Sequence, residues 1–198
     1  NYFNGWVYIM GGTLRTDTIN PAIGSGSSAI GRGYIGRHIA LGGGARFLYT
    51  GADATSDRTF QLVGDGVIEA ANSSGTLTLN GNLDIAGYPY NLTLQGSGSA
   101  VFGGRVRLAD TGRAYGGWLG GTLIKDGTGS WTLRNADNRM QLLDIRAGTL
   151  NLGHADNTLV DNAGIRIAGG ATLDLGANAD KVGVVTLVDG AITGSGTL

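Results

Sequence analysis

The chain has 198 residues, of which 38 are Gly, 2 are Pro and none is Cys, with a net charge of −1 and a hydrophobic fraction of 41%. So much apolar content excludes a flexible linker, the missing Cys excludes disulfides as a stabiliser, and the even charge offers neither a polybasic membrane patch nor a nucleic-acid groove. Lys occurs only at 125 and 181 and Glu only at 69, while Gly, Asn and Asp abound, so turn formers displace helix formers and essentially no helix is expected.

In chain order, apolar residues recur in pairs one position apart. They are Ile39/Leu41, Phe47/Tyr49, Phe60/Leu62, Leu77/Leu79, Leu83/Ile85, Leu92/Leu94 and Val106/Leu108. The pattern continues through Trp131/Leu133, Leu143/Ile145, Leu150/Leu152, Ile165/Ile167, Leu173/Leu175 and Val185/Leu187. A period of two marks a strand with one buried face, and Gly, Asn or Asp follows almost every pair. Short strands at even spacing fit a sandwich, a barrel or a solenoid. Two features favour the solenoid. The gaps between pairs are too brief for Greek-key returns, and one tripeptide, Gly-Thr-Leu, starts at Gly12, Gly75, Gly121, Gly148 and Gly196, as expected if each rung poses the same corner.

A longer repeat runs beneath this one. Gly11–Leu14 aligns with Ala147–Leu150, Ile39–Phe47 with Ile165–Leu173, and Gly64–Leu77 with Val188–Leu198, which suggests internal units of about 1–135 and 136–198 within a single segment. The expected fold class is therefore all-β, a right-handed single-stranded parallel β-helix. Three strands in each rung of about 20–25 residues give about eight rungs and a rod about 40 Å long. The pattern is already running at Asn1 and stops at Thr197-Leu198 where a further strand is due, so a longer solenoid is expected, with its end rungs the weakest.

The stretch GTLIKDGTGSWTLRNADNRMQLLDIRAGTLNLG, Gly121 to Gly153, resembles the autotransporter-associated β-strand repeat, also called the passenger-associated transport repeat. Leu123, Lys125, Gly127, Gly129, Trp131 and Leu133 fill its first half, Asn135 and Asn138 its turn, and Gly148, Thr149, Leu150, Leu152 and Gly153 its close. Arg139-Met140-Gln141-Leu142 stands where the family has Thr-Gly-Gly-Thr. The resemblance implies a passenger of a type V secretion system, displayed on the bacterial surface or secreted through the outer membrane. It also implies a C-terminal outer-membrane β-barrel translocator beyond this chain. The repeat marks a stalk and an adhesin role rather than one particular head.

Chemical motifs are weak. Gly31-x-Gly33-x-x-Gly36 lacks the following helix that a dinucleotide site needs. Asp110-Thr111-Gly112 lacks the second Asp-Ser/Thr-Gly that an aspartic protease would supply. His38 and His154 are the only histidines and read as surface residues, so no metal site, cofactor or catalytic residue is expected. Asp65, Glu69, Asp84 and Asp110 could align along one face, the arrangement of a carbohydrate-cleaving β-helix, a polysaccharide lyase or hydrolase. Against that enzyme stands a binding module, with Tyr88, Tyr90, Tyr115 and Trp118 in the least regular segments as recognition aromatics. Its expected partners are a host-surface protein or glycan, or like molecules on other bacteria.

Overall fold

A computed structural model describes residues 3–22, 28–31, 36–72, 74–109 and 120–198. The first rung carries β1 (Val7–Ile9) and β2 (Thr13–Thr16). The next three each carry three strands: β3 (Ile39–Leu41), β4 (Ala45–Tyr49) and β5 (Ala54–Ser56); β6 (Phe60–Leu62), β7 (Gly66–Ala70) and β8 (Thr76–Leu79); β9 (Leu83–Ile85), β10 (Leu92–Gln95) and β11 (Ser99–Phe102). From there two strands per rung remain: β12 (Thr122–Lys125) and β13 (Ser130–Leu133), β14 (Leu142–Ile145) and β15 (Thr149–Leu152), β16 (Gly164–Ala168) and β17 (Thr172–Asp174), β18 (Val185–Val188) and β19 (Ala191–Thr193).

The strands stack into three parallel sheets. Sheet A holds β1-β3-β6-β9, sheet B the eight strands from β2 to β18, and sheet C the seven from β5 to β19. Sheet A persists below β9 only as isolated bridges, Leu83 to Val106, Arg107 to Arg139 and Asn138 to Leu159. No helix occurs among the described residues. The chain is thus an all-β parallel solenoid, and the expected fold class holds.

Inward side chains form ladders one residue wide. On sheet C, Leu77, Ala100, Trp131, Leu150 and Leu173 stand in register, and the small Ala100 makes room for the fully buried Trp131 indole. On sheet B, Phe47, Ile68, Leu94, Lys125, Ile145 and Ile167 do the same. Each fully buried Leu or Ile contributes roughly 1.5–3 kcal/mol, and strands inside each sheet pair in parallel with a rung on either side.

The rungs are less uniform than an even period of about 20–25 residues. On sheet B the chain makes long steps from Thr13 to its partner Arg46, from Gly66 to Leu92 and from Leu92 to Leu123. Its other steps are shorter and nearly constant, as in Leu123 to Leu143 and Leu143 to Ile165. The extra residues fall between β2 and β3, in the corner excursion 86–91, and between Ala109 and Gly121. Nor does Gly-Thr-Leu mark one corner. Thr13 and Thr122 open strands of sheet B, Thr76 and Thr149 strands of sheet C, and Thr197 bridges to Ala179. Likewise the aligned Ile39–Phe47 and Ile165–Leu173 run from sheet A to B and from B to C. Both turn on a Gly pair, Gly43-Gly44 at φ 61° and 72° and Gly169-Gly170 at φ 60° and 71°. Only Gly enters that left-handed region without strain. The phrase encodes a generic corner, reused on successive faces.

Candidate recognition surfaces

The excursion 86–91 leaves the corner between sheets A and B. Tyr88 at its tip is 68% exposed, whereas Tyr90 packs half-buried against the core. Asn91 anchors the return: its backbone N–H and side-chain amide donate to the Asp65 carboxylate at 2.8 and 3.3 Å, and its Oδ1 accepts from Thr122 N at 2.9 Å. So Tyr88 is presented outward from a tied-down base and Tyr90 is part of that base. Tyr115 and Trp118 lie outside the described residues, as do Asp110-Thr111-Gly112 and most of the Gly31–Gly36 motif.

The carboxylates weighed for a glycosidase do not converge. Asp65 sits on the A–B corner bound to Asn91. Glu69 faces outward on sheet B, held by Arg46 Nη1 at 3.0 Å and Gln95 Nε2 at 2.6 Å. Asp84 faces outward on sheet A, 3.7 Å from Arg107. Three different parts of the surface hold them, so among the described residues these carboxylates form no acid–base pair flanking a common groove; Asp110 lies outside those residues. Among the described residues no three His, Asp or Glu side chains group together as metal ligands do. His38 and His154 are half-buried and bound locally, His38 Nδ1 to Thr59 Oγ1 and His154 Nδ1 to Asp156 O, both at 2.5 Å.

Buried polar groups serve the corners. Lys125 occupies an inward place in the sheet B ladder, fully buried, and its ammonium donates to the carbonyls of Asp126, Gly127 and Ala147 at 3.0, 2.8 and 2.8 Å. It thereby clasps two successive rungs. Burial pulls its pKa down to about 8, with the Asp126 carboxylate opposing. Asn138, also fully buried, links three rungs: its Oδ1 accepts from Val106 N at 2.8 Å and its Nδ2 donates to Asn135 O and Thr158 O, both at 2.7 Å. Near the first rungs a shallow cleft lies against Tyr49, whose hydroxyl donates to Ala52 O; burial first, then the Asp17 and Asp53 carboxylates, raise its pKa.

The three outer faces differ. Sheet C shows a column of short hydroxyl side chains, Thr76, Ser99, Ser130, Thr149 and Thr172, and Asn151 ties its neighbours by donating to Ser130 Oγ and Thr132 Oγ1. Sheet B pairs its charges internally; the Asp144 carboxylate, 7% exposed, lies between Arg146 at 2.7 Å and Arg166 at 2.9 Å. Among the described residues, sheet A alone presents aromatics on its outer face. Trp6 stacks on Tyr8 with ring centroids 5.8 Å apart and planes 13° from parallel, and His38 meets Trp6 edge-on at 4.5 Å. Sequence reasoning passed over this cluster. Its signal was there in Trp6-Val7-Tyr8, two aromatics one position apart and hence on one face of a strand.

No protein-family model matches the chain, and no solved structure matches it. The chain is similar to an adhesin autotransporter, BmaC, of Brucella suis biovar 1 (strain 1330), with 31% identity over 166 residues. The match covers 84% of this chain but only 4% of the length of that relative.

Proposed function

We propose that this chain is a stretch of an autotransporter passenger, a parallel solenoid displayed on the bacterial surface or released through the outer membrane, that serves as stalk and adhesive surface and not as a catalyst. The observation that carries the reading is the likeness to an adhesin autotransporter along most of a chain that folds as a solenoid. The absence of Cys supports it, because no disulfide can form ahead of passage across a membrane. The scattered carboxylates speak against the glycosidase alternative.

In this reading the Gly121–Gly153 phrase is an autotransporter-associated repeat, the rungs join others in a longer passenger with units of about 1–135 and 136–198, and a β-barrel translocator follows. The corner excursion with Tyr88 and Tyr90, joined by Tyr115 and Trp118, supplies recognition of a host-surface protein or glycan or of a neighbouring bacterium. An exposed aromatic on a fixed base, as Tyr88 is, suits this, since it buries much area at little entropic cost. The test displays the full passenger on a bacterium and counts cells bound to host cells and to each other. Deleting residues 1–198 should abolish one kind of adhesion, and Tyr88→Ala should weaken it while display remains equal. Unchanged adhesion after the deletion would overturn the reading.

A further inference from the structure

The outward face of sheet A is built of two columns. One runs Trp6, His38, Thr59, Asn82 and Arg105, linked by the Trp6–His38 ring contact, the His38–Thr59 bond and the Arg105 N–H donating to Asn82 Oδ1 at 2.9 Å. The other runs Tyr8, Ala40, Gln61, Asp84 and Arg107 in register, then Arg139. Ala40 is fully buried between Tyr8 and Gln61, so nothing stands proud between the aromatic end and the amides. With neighbouring strands about 4.8 Å apart, Tyr8 and Arg107 lie about 19 Å apart along the axis.

The charge on this face is unbalanced. Arg139 is held by Asp137 at 2.7 and 2.8 Å. Arg107 reaches Asp84 only at 3.7 Å, and its Nε makes no hydrogen bond. Arg105 has no carboxylate partner among the ion pairs of the described residues; its Nε, like that of Arg107, is buried and unbonded, so a ligand would meet these two groups at their terminal nitrogens. One end is therefore an aromatic platform, the middle a line of amide and hydroxyl groups, and the far end guanidinium groups in want of an anion. On sheet B, by contrast, the Glu69 and Asp144 carboxylates are both held by Arg side chains of the same face, and on sheet C Asn151 is bonded to Ser130 and Thr132.

We infer that the outer face of sheet A binds a carboxylated glycan chain laid along the solenoid axis. A sugar ring offers C–H groups on its faces, which suit the flat Trp6–Tyr8 pair, and hydroxyls around its rim, which suit Gln61, Asn82 and Thr59. A uronic or sialic carboxylate matches the guanidinium fork of Arg105 or Arg107. The inference rests on the adhesive reading above, yet it needs no cells and no Tyr88. Adhesion that survives loss of Tyr88 sinks the corner loop alone, and failed glycan binding sinks this face alone.

The test titrates the purified chain by calorimetry with polygalacturonate, hyaluronan and sialyllactose, and with maltooligosaccharides as the uncharged control. At least one acidic probe should bind, weaken with added salt and exceed the uncharged control. Tyr8→Ala and Arg105→Gln should each lower that affinity about tenfold. Arg105→Lys should recover part of it, and Thr132→Ala on sheet C should leave it unchanged. Tyr8 is 62% exposed, so its variant should keep the parent melting curve and report binding alone. No binding of any acidic probe, equal binding of the uncharged control, or a loss shared by Thr132→Ala would overturn the inference.

Discussion

The rungs from β12 to β17 and the rungs from β1 to β5 are made of the same kinds of strand, yet they are held differently. In the first region the steps between paired strands are short and nearly constant, Lys125 clasps one corner, Asn138 bridges three rungs, and Trp131 is wholly enclosed. In the second, a long step along the chain separates Thr13 from its partner Arg46, no described strand of sheet C lies in the first rung, and Phe3, Tyr8 and Met10 stay exposed. A solenoid rung is stabilised by its two neighbours and little else. Regular period therefore concentrates stability, and irregular period moves residues out of the stack to where they can meet other molecules.

Amide exchange is the broadest way to break this comparison. Residues 1–30 and those near Leu198 should exchange fastest, and Trp131 to Leu175 slowest, with protection near the global unfolding free energy in the slow region. Even protection from end to end would refute it. The next effect is a core truncation. Trp131→Ala should cost about 3–5 kcal/mol in denaturant melts, whereas Leu14→Ala, at a half-buried position of β2, should cost well under half as much. Equal costs would mean that both regions are packed alike. Asn138→Ala, which strands the Val106 N–H and the Asn135 carbonyl, should cost roughly 2–3 kcal/mol, and a melt unchanged from the parent would remove the three-rung bridge from the account.

A further effect in the regular region is the dependence on pH at Lys125. Its folded pKa of about 8 lies below its ordinary value of 10.5, so over that range the unfolded chain holds the proton more often. Stability from this group should thus rise as pH climbs from about 8 toward 10.5. Lys125→Met should flatten that rise relative to the parent, and identical slopes would show that the ammonium is not desolvated as the geometry implies.

Much of the fold was legible because most strands place two large apolar side chains inward. Of the pairs picked out by alternation, Val106/Leu108 falls outside the named strands, in the bridge region, and Leu175 lies one residue past the end of β17. Seven strands carry none of these pairs, β1, β2, β5, β7, β11, β12 and β19, and three of them have unusual inward residues: Ala54 and Ser56 in β5, Gly66 and Ala70 in β7, and Lys125 in β12. There a neighbouring rung supplies the bulk, Leu77 and Leu79 over β5 for instance, and a single strand carries no trace of that. The recognition surface was harder still. The corner loop shows in the sequence as a break in period, but the sheet A face joins Trp6, Thr59 and Arg105 across successive rungs, and their alignment depends on excursions whose lengths no local pattern fixes.

The Lys125 clasp and the Asn138 bridge also bear on mechanics. In this solenoid the backbone hydrogen bonds lie along the rod axis, so tension between the two ends bears on the same bonds that join one rung to the next. Rungs should then peel away singly from an end, each releasing the chain between paired strands, roughly 70–115 Å of slack at about 3.5 Å per residue. A tether built this way would lengthen in steps under load and shield its attachment from sudden jerks, with the stiffest steps where a side chain ties more than one rung.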